Sequence, residues 1–510
     1  MAGICATLIK KDRRKLISEG DILLSKKAGI VIGAVLVGVA LLWIASQRQV
    51  AEPTATYLSP APSQNPYLKE YALPAGAAPN GLFADKQGIV WITSSTSDTL
   101  YSFNQTSEEL QGNEIKDGNV QYSNPGVNAT MTWTVIQGRD GLLWFSPLGT
   151  RFIWNFDPAN GTFHSIQSAT GSAFQMKADP DSDSVWFTTL SGDTLCVAQK
   201  NASAPSGYSI SAFDLGNSTG PAGLFLQNNT VWIAEITTQK IVGFNIDRDN
   251  SEVTGITKIK EIPVNNQTQL STPTDLIANN DSLWLTEHGT SFLTQYHLGT
   301  DEIVRYPTSQ NIYHATTLPF WIRPINDGKD LWFNEHEGNK VAYFDTVNKT
   351  MIEYEIPSRP ADGYLTYPLN IAVDPNDNKV LWFSEWNTGK LARVDGNVQL
   401  PFSISADADK VVLSTDASKA VAVNLTVSGQ SPYSSNRVFL NASSSLDTAA
   451  GFGNVDASLS PATLDLTSDH KAQLLLRNYS AAPGNYTLGL SVSDGMATKT
   501  IFLDLIVPKG

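Results

Sequence analysis

One tryptophan-centred stretch recurs through this chain and constrains its fold more than any other feature. The tryptophans are Trp91, Trp144, Trp186, Trp232, Trp284, Trp332 and Trp382, spaced 42 to 53 residues apart. Each lies in a short apolar run that leads to a polar tip and then to a second β-rich run, as in Leu331-Trp-Phe-Asn-Glu-His-Glu-Gly-Asn-Lys-Val341. A period near fifty in an all-β pattern is the signature of propeller blades, one four-stranded sheet per repeat. The sequence therefore predicts an all-β chain with a seven-bladed β-propeller over residues 67–400.

The other strands of each repeat follow from local signals. In most copies a Pro-containing turn opens a short apolar strand before the Trp strand, as in Pro221-Ala-Gly-Leu-Phe and Pro368-Leu-Asn-Ile-Ala. Tight-hairpin residues such as Asp140-Gly141 and Asp327-Gly328 separate the two. Residues Leu68-Lys-Glu-Tyr-Ala-Leu-Pro74 resemble the fourth strand of a repeat yet precede the first Trp. They are expected to complete the last blade, so that no sheet edge stays open.

After Pro401 the repeat stops. Residues 401–510 hold alternating runs such as Val421-Ala-Val-Asn-Leu-Thr-Val427 and no Cys pair. They read as an immunoglobulin-like β-sandwich without a disulfide.

The N-terminal segment differs in kind. Residues 1–27 are basic, and Ala28 to Ser46 is a run of nineteen residues without a charge. As a helix that run is about 28 Å long, close to the hydrocarbon thickness of a bilayer. The positive-inside bias predicts a single-pass cell-membrane protein with a cytosolic tail (1–27), a transmembrane helix (28–46), a Pro-rich stalk (47–66) and an extracellular bulk.

The formal net charge of −14 excludes holding nucleic acid by its phosphates. The two cysteines, Cys5 and Cys196, offer neither a disulfide framework nor a zinc cluster. The expected partner is a small-molecule, peptide or glycan ligand at the propeller mouth, bound by a monomer.

Candidate chemistry lies three residues after each Trp. Four successive repeats carry Glu there: Glu235, Glu287, Glu335 and Glu385. His288 and His336 follow two of them directly. The carboxylates are expected to line an arc of one channel mouth and to recruit a divalent cation, Mg2+ or Ca2+, with a His acting as base. Tyr313, His314, Arg323 and Tyr364 lie in or near turns feeding the same mouth and are candidates for substrate binding. The alternative is structural, each Glu pairing with Lys240, Lys340 or Lys390 at the far end of its loop.

The repeats Leu283-Trp-Leu-Thr-Glu-His-Gly289, Leu331-Trp-Phe-Asn-Glu-His-Glu-Gly-Asn-Lys340 and Leu381-Trp-Phe-Ser-Glu-Trp-Asn-Thr-Gly-Lys390 resemble the virginiamycin B lyase (streptogramin lyase) family. The resemblance runs over residues 67–400. It implies a seven-bladed propeller and an enzyme that opens a cyclic depsipeptide at its ester by elimination. In such an enzyme a His removes a proton α to a carbonyl, while a magnesium ion held partly by Glu stabilises the developing charge. On this chain the matching residues are Glu287 with His288 and Glu335 with His336, supported by Glu235 and Glu385. The function so implied is a metal-assisted carbon–oxygen lyase acting on an ester or lactone. The alternative is a non-enzymatic cell-surface binding, adhesion or sensor protein.

Overall fold

A computed structural model describes residues 65–122, 130–263, 269–279, 281–309, 314–360, 365–429 and 436–509. These residues are all-β apart from one short 3-10 turn, Asn326–Gly328.

Between residues 65 and 395 the strands form seven four-stranded antiparallel units in chain order. They cover residues 79–114, 135–167, 176–214, 221–262, 273–307, 319–355 and 368–395. The fourth strand of the seventh unit is Leu68–Ala72, which pairs with Lys390–Asp395. The expected closure by the N-terminal strand is therefore present. The innermost strand of each unit packs beside those of its two neighbours, and the first packs against the seventh. The result is a closed ring in the manner of a β-propeller.

The repeated Trp holds adjacent units together. Trp91 of the first unit packs with Leu143 and Phe145 of the second. Trp284 packs with Ile322 and Phe333 of the sixth, and Trp382 of the seventh with Leu82 and Val90 of the first. An indole on the second strand is long enough to cross the gap between splayed sheets, so one residue type at one position serves every interface. In the first and third units the indole N–H is held by an Asp at the preceding hairpin: Trp91 Nε1 donates to Asp85 at 2.8 Å and Trp186 Nε1 to Asp179 at 2.7 Å. Truncating one such buried Trp to Ala is expected to cost about 3–5 kcal/mol.

Residues beyond 401 form two packed sheets around a Val- and Leu-rich core that includes Val427, Leu440, Leu474 and Leu490. One sheet contains Phe402–Ala406, Val421–Gly429, Lys471–Asn478 and Val455–Ser460. The other is continuous with the ring. The strand Ala497–Val507 pairs with Gly484–Ser493 on one side and with Thr350–Glu355, the outer strand of the sixth unit, on the other. Phe502 seals the junction against Tyr306 and Phe344, with ring centroids 5.3 and 6.0 Å away. Asn65 Nδ2 joins the same corner by donating to the carbonyls of Glu355 and Met496. Asn65, within the expected stalk, is thus already tied to the ring.

The expected architecture is corrected at its N-terminal end. Among the described residues no helix is long and apolar enough to cross a membrane. The expected helix at 28–46 and tail at 1–27 lie outside the described residues, as does the stalk up to residue 64. The single-pass cell-membrane placement therefore has no spanning element in this structure to rest on.

Candidate functional site at the channel mouth

Strand alternation sends successive side chains at the end of each Trp strand to opposite sides. The motif Glu turns back into its own unit, whereas the next residue opens onto the channel. This separates the carboxylates from the histidines that follow them.

Glu287 is fully engaged within the fifth unit. It accepts hydrogen bonds from Ser271 N at 2.7 Å, Thr294 Oγ1 at 2.6 Å and Arg305 Nε at 2.7 Å. In the other three units an acid on the fourth strand takes the place of Arg305, and a Lys joins the pair. Lys340 bridges to Glu353 beside Glu335, Lys390 to Glu70 beside Glu385, and Lys240 to Glu261 beside Glu235. Burial and then the Glu353 charge hold Glu335 well above the ordinary carboxylate range. Burial and then Glu70 push Glu385 up to about 8. Burial also raises Glu235, which accepts from Thr238 Oγ1. The lysines named by the structural alternative thus do stand beside these carboxylates, but their ion-pair contacts run to the fourth-strand acids.

The channel mouth is aromatic. Trp133 and Phe174, from the segments leading into the second and third units, meet Phe320 of the sixth unit across the ring. Their centroids are 5.2 Å (Trp133–Phe174), 5.7 Å (Trp133–Phe320) and 6.4 Å (Phe174–Phe320) apart. Leu190 and Ile236, each four residues after its Trp, pack against the same cluster. His288 and His336 occupy that position in the fifth and sixth units. His288 Nε2 lies 3.3 Å from His336 Nδ1, and Phe320 stacks on His336 at 4.1 Å.

Both imidazoles are held neutral. Burial pushes His288 down to about 4. Burial and then the neighbouring His288 hold His336 well below its ordinary value, with the backbone of Leu369 acting the other way. Nearby, His314 Nδ1 lies 3.4 Å from Glu337 Oε2, and burial lowers His314 as well.

Of the residues expected at the mouth, His288 and His336 share one aromatic cluster with Phe320. Arg323 is elsewhere: its guanidinium lies under Trp321, 5.5 Å from the ring, and donates to Asp275 Oδ2 at 2.9 Å. Tyr313 and Tyr364 lie outside the described residues. Sequence reasoning missed Trp133, Phe174, Phe320 and Glu337. The signal was available in part, because Pro319-Phe-Trp-Ile322 opens the sixth unit where Pro79-Asn-Gly-Leu82 opens the first. Large rings thus replace small residues at a position that faces the channel.

No protein family matches the chain, and no curated protein does. Among solved structures, a catalytically inactive virginiamycin B lyase from Staphylococcus aureus with quinupristin matches at 20% identity. The match has a TM-score of 0.50 and covers 64% of this chain and 98% of that one. A streptogramin B lyase structure matches at 21% identity, with a TM-score of 0.49 and coverage of 64% and 97%. The shared fold is that of the streptogramin lyases.

The magnesium ion implied by a streptogramin-lyase-like fold can be tested against these side chains. Among the described residues no group of three or more His, Cys, Asp or Glu could hold a metal ion. The four motif carboxylates belong to separate units, and Glu287 has its oxygens occupied by Arg305, Thr294 and a backbone N–H. The expected carboxylate arc does not form, because alternation turns each Glu away from the channel. Glu287 is thus already committed within its own unit and is not free to hold the ion.

Proposed function

We propose that the chain is a seven-bladed propeller with an immunoglobulin-like C-terminal sandwich, and that it works as a ligand-binding protein. Its channel mouth takes a molecule with an aromatic or apolar group, a small peptide or depsipeptide in class. The observation that carries this reading is the convergence of Trp133, Phe174 and Phe320 with the neutral His288–His336 pair. A surface of rings and uncharged imidazoles favours stacking and neutral hydrogen bonds. It supports binding over base catalysis by His288, since a proton acceptor near 4 is far from the pKa that serves a base at neutral pH.

A second reading, carbon–oxygen elimination at an ester or lactone, draws on the His314–Glu337 contact. There a carboxylate stands beside an imidazole at the mouth, as it would beside an oriented base.

The test is titration of the full-length protein with quinupristin and a series of aromatic-bearing peptides and depsipeptides. Tryptophan fluorescence reports binding, and mass spectrometry follows each ligand. Saturable binding of an intact ligand, insensitive to chelator, supports the first reading. A ring-opened, unsaturated product supports the second. No saturable response across the series would overturn both.

A further inference from the structure

Beneath the aromatic mouth the channel is crossed by a polar belt. Asp275 Oδ1 accepts from Gln175 Nε2 at 2.8 Å and from its neighbour Leu276 N at 2.9 Å. Asp275 Oδ2 accepts from Arg323 Nη1 at 2.9 Å and from Ile322 N at 3.1 Å. All of the carboxylate's acceptor directions are therefore in use. On the far side of this belt lies a cavity of about 270 Å3. Its walls are mostly apolar, with Phe83, Ile136 and Val373 among them, and it contains two cations, Lys177 and Arg323.

The charges here do not balance. Arg323 is matched by Asp275, but among the described residues the Lys177 ammonium has neither an ion pair nor a hydrogen bond. Its side chain is half-buried in the cavity wall, with Arg323 as a like-charged neighbour and Asp275 as a partial, already committed counter-charge. Burial first, and then Arg323, lower its pKa to about 8. A half-buried ammonium with no partner and a like-charged neighbour is costly to keep charged. In a chain of net charge −14 its persistence beside an arginine is not a general electrostatic bias.

We propose that this cavity is a second binding site, for a small organic anion: a carboxylate on a short apolar body. The carboxylate lies between Lys177 and Arg323, and the body rests on Phe83, Ile136 and Val373. Inorganic phosphate satisfies the cations but leaves the apolar walls uncovered. The volume is just under that of ordinary drug-sized pockets, so the ligand is small.

Isothermal titration of the full-length protein with hexanoate, benzoate and inorganic phosphate tests the assignment. The expected result is saturable binding of at least one carboxylate, one per chain, weakened at least tenfold by Lys177→Met. Because that variant removes an unmatched charge, its thermal midpoint should not fall, which separates lost binding from lost folding. Binding at pH 8.5 should also take up protons, seen as a heat that depends on the buffer, since the anion favours charged Lys177. Three results would each overturn the proposal: no saturable binding of either carboxylate, equal binding by Lys177→Met, or binding of phosphate alone.

Discussion

His288 Nε2 and His336 Nδ1 face each other at 3.3 Å, so one imidazole donates to the other and only one proton occupies the contact. Protonating both rings would set two positive charges against each other under the stacked Phe320.

Stability should therefore fall with acid in a way that traces to this pair. A histidine whose folded pKa is depressed contributes stability that is complete above about 6.5 and is lost as pH drops, because the unfolded chain takes up the proton first. For His288, held near 4 in the fold, about 2 kcal/mol should be lost between pH 7.5 and pH 5. Glu335 and Glu385, with raised pKa values, act with the opposite sign, so the comparison must be made between variants. Urea midpoints at the two pH values should shift less in His288→Gln than in wild type. Equal shifts would show that the pair does not titrate as described.

The motif glutamates should differ sharply on neutralisation. Glu287→Gln leaves Arg305 facing an amide inside a network built for a carboxylate, and should cost about 3 kcal/mol. Glu335 shares one lysine with Glu353, and burial already favours its neutral form. Glu335→Gln should therefore change stability by less than about 1 kcal/mol. Denaturation midpoints of the two variants decide the matter, and equal losses would be incompatible with this picture.

Trp133 is half-buried and spans the mouth, whereas Phe320 and Phe174 are buried below it. Trp133→Ala should therefore weaken binding of an aromatic ligand at least tenfold while lowering stability by about 1–2 kcal/mol. Fluorescence titration beside a thermal melt would separate the two effects. Unchanged affinity would place the ligand elsewhere.

Much of this organisation was legible in the chain. The Trp period gave the ring, because each indole must fill the same gap between sheets. The stray strand at Leu68 gave its closure, because an edge needs a partner. The site was only half legible. The adjacency of Glu and His suggested one shared surface, yet alternation puts Glu287 with Arg305 and His288 with Phe320. The mouth is made by residues far apart in sequence, such as Trp133 and Phe320, whose meeting depends on ring curvature. Nothing in residues 401–510 announced that Ala497–Val507 would extend the sixth unit. An outer strand with a free edge reads the same as one that is covered.

That shared sheet predicts coupled unfolding. Lys499 stands opposite Ile352 in the ladder that joins ring and sandwich, and opposite Val492 within the sandwich. Lys499→Pro removes a backbone donor from a strand paired on both sides. Calorimetry should show one transition in the wild type and two in the variant. Two transitions in the wild type would mean that the sheets are continuous in geometry but not in energy.

The strand Leu68–Ala72 has a further consequence during synthesis. It emerges early from the ribosome but finds its partner last, since Lys390, which holds Glu70 at 2.7 Å, is 320 residues downstream. Throughout that wait it is an unpaired β-strand beside growing sheets that also have open edges. Its brevity and the charges of Lys69 and Glu70 make it a poor template for the wrong neighbour. The same Glu70 that later meets Lys390 thus serves, until then, as a solubilising guard on an unfinished ring.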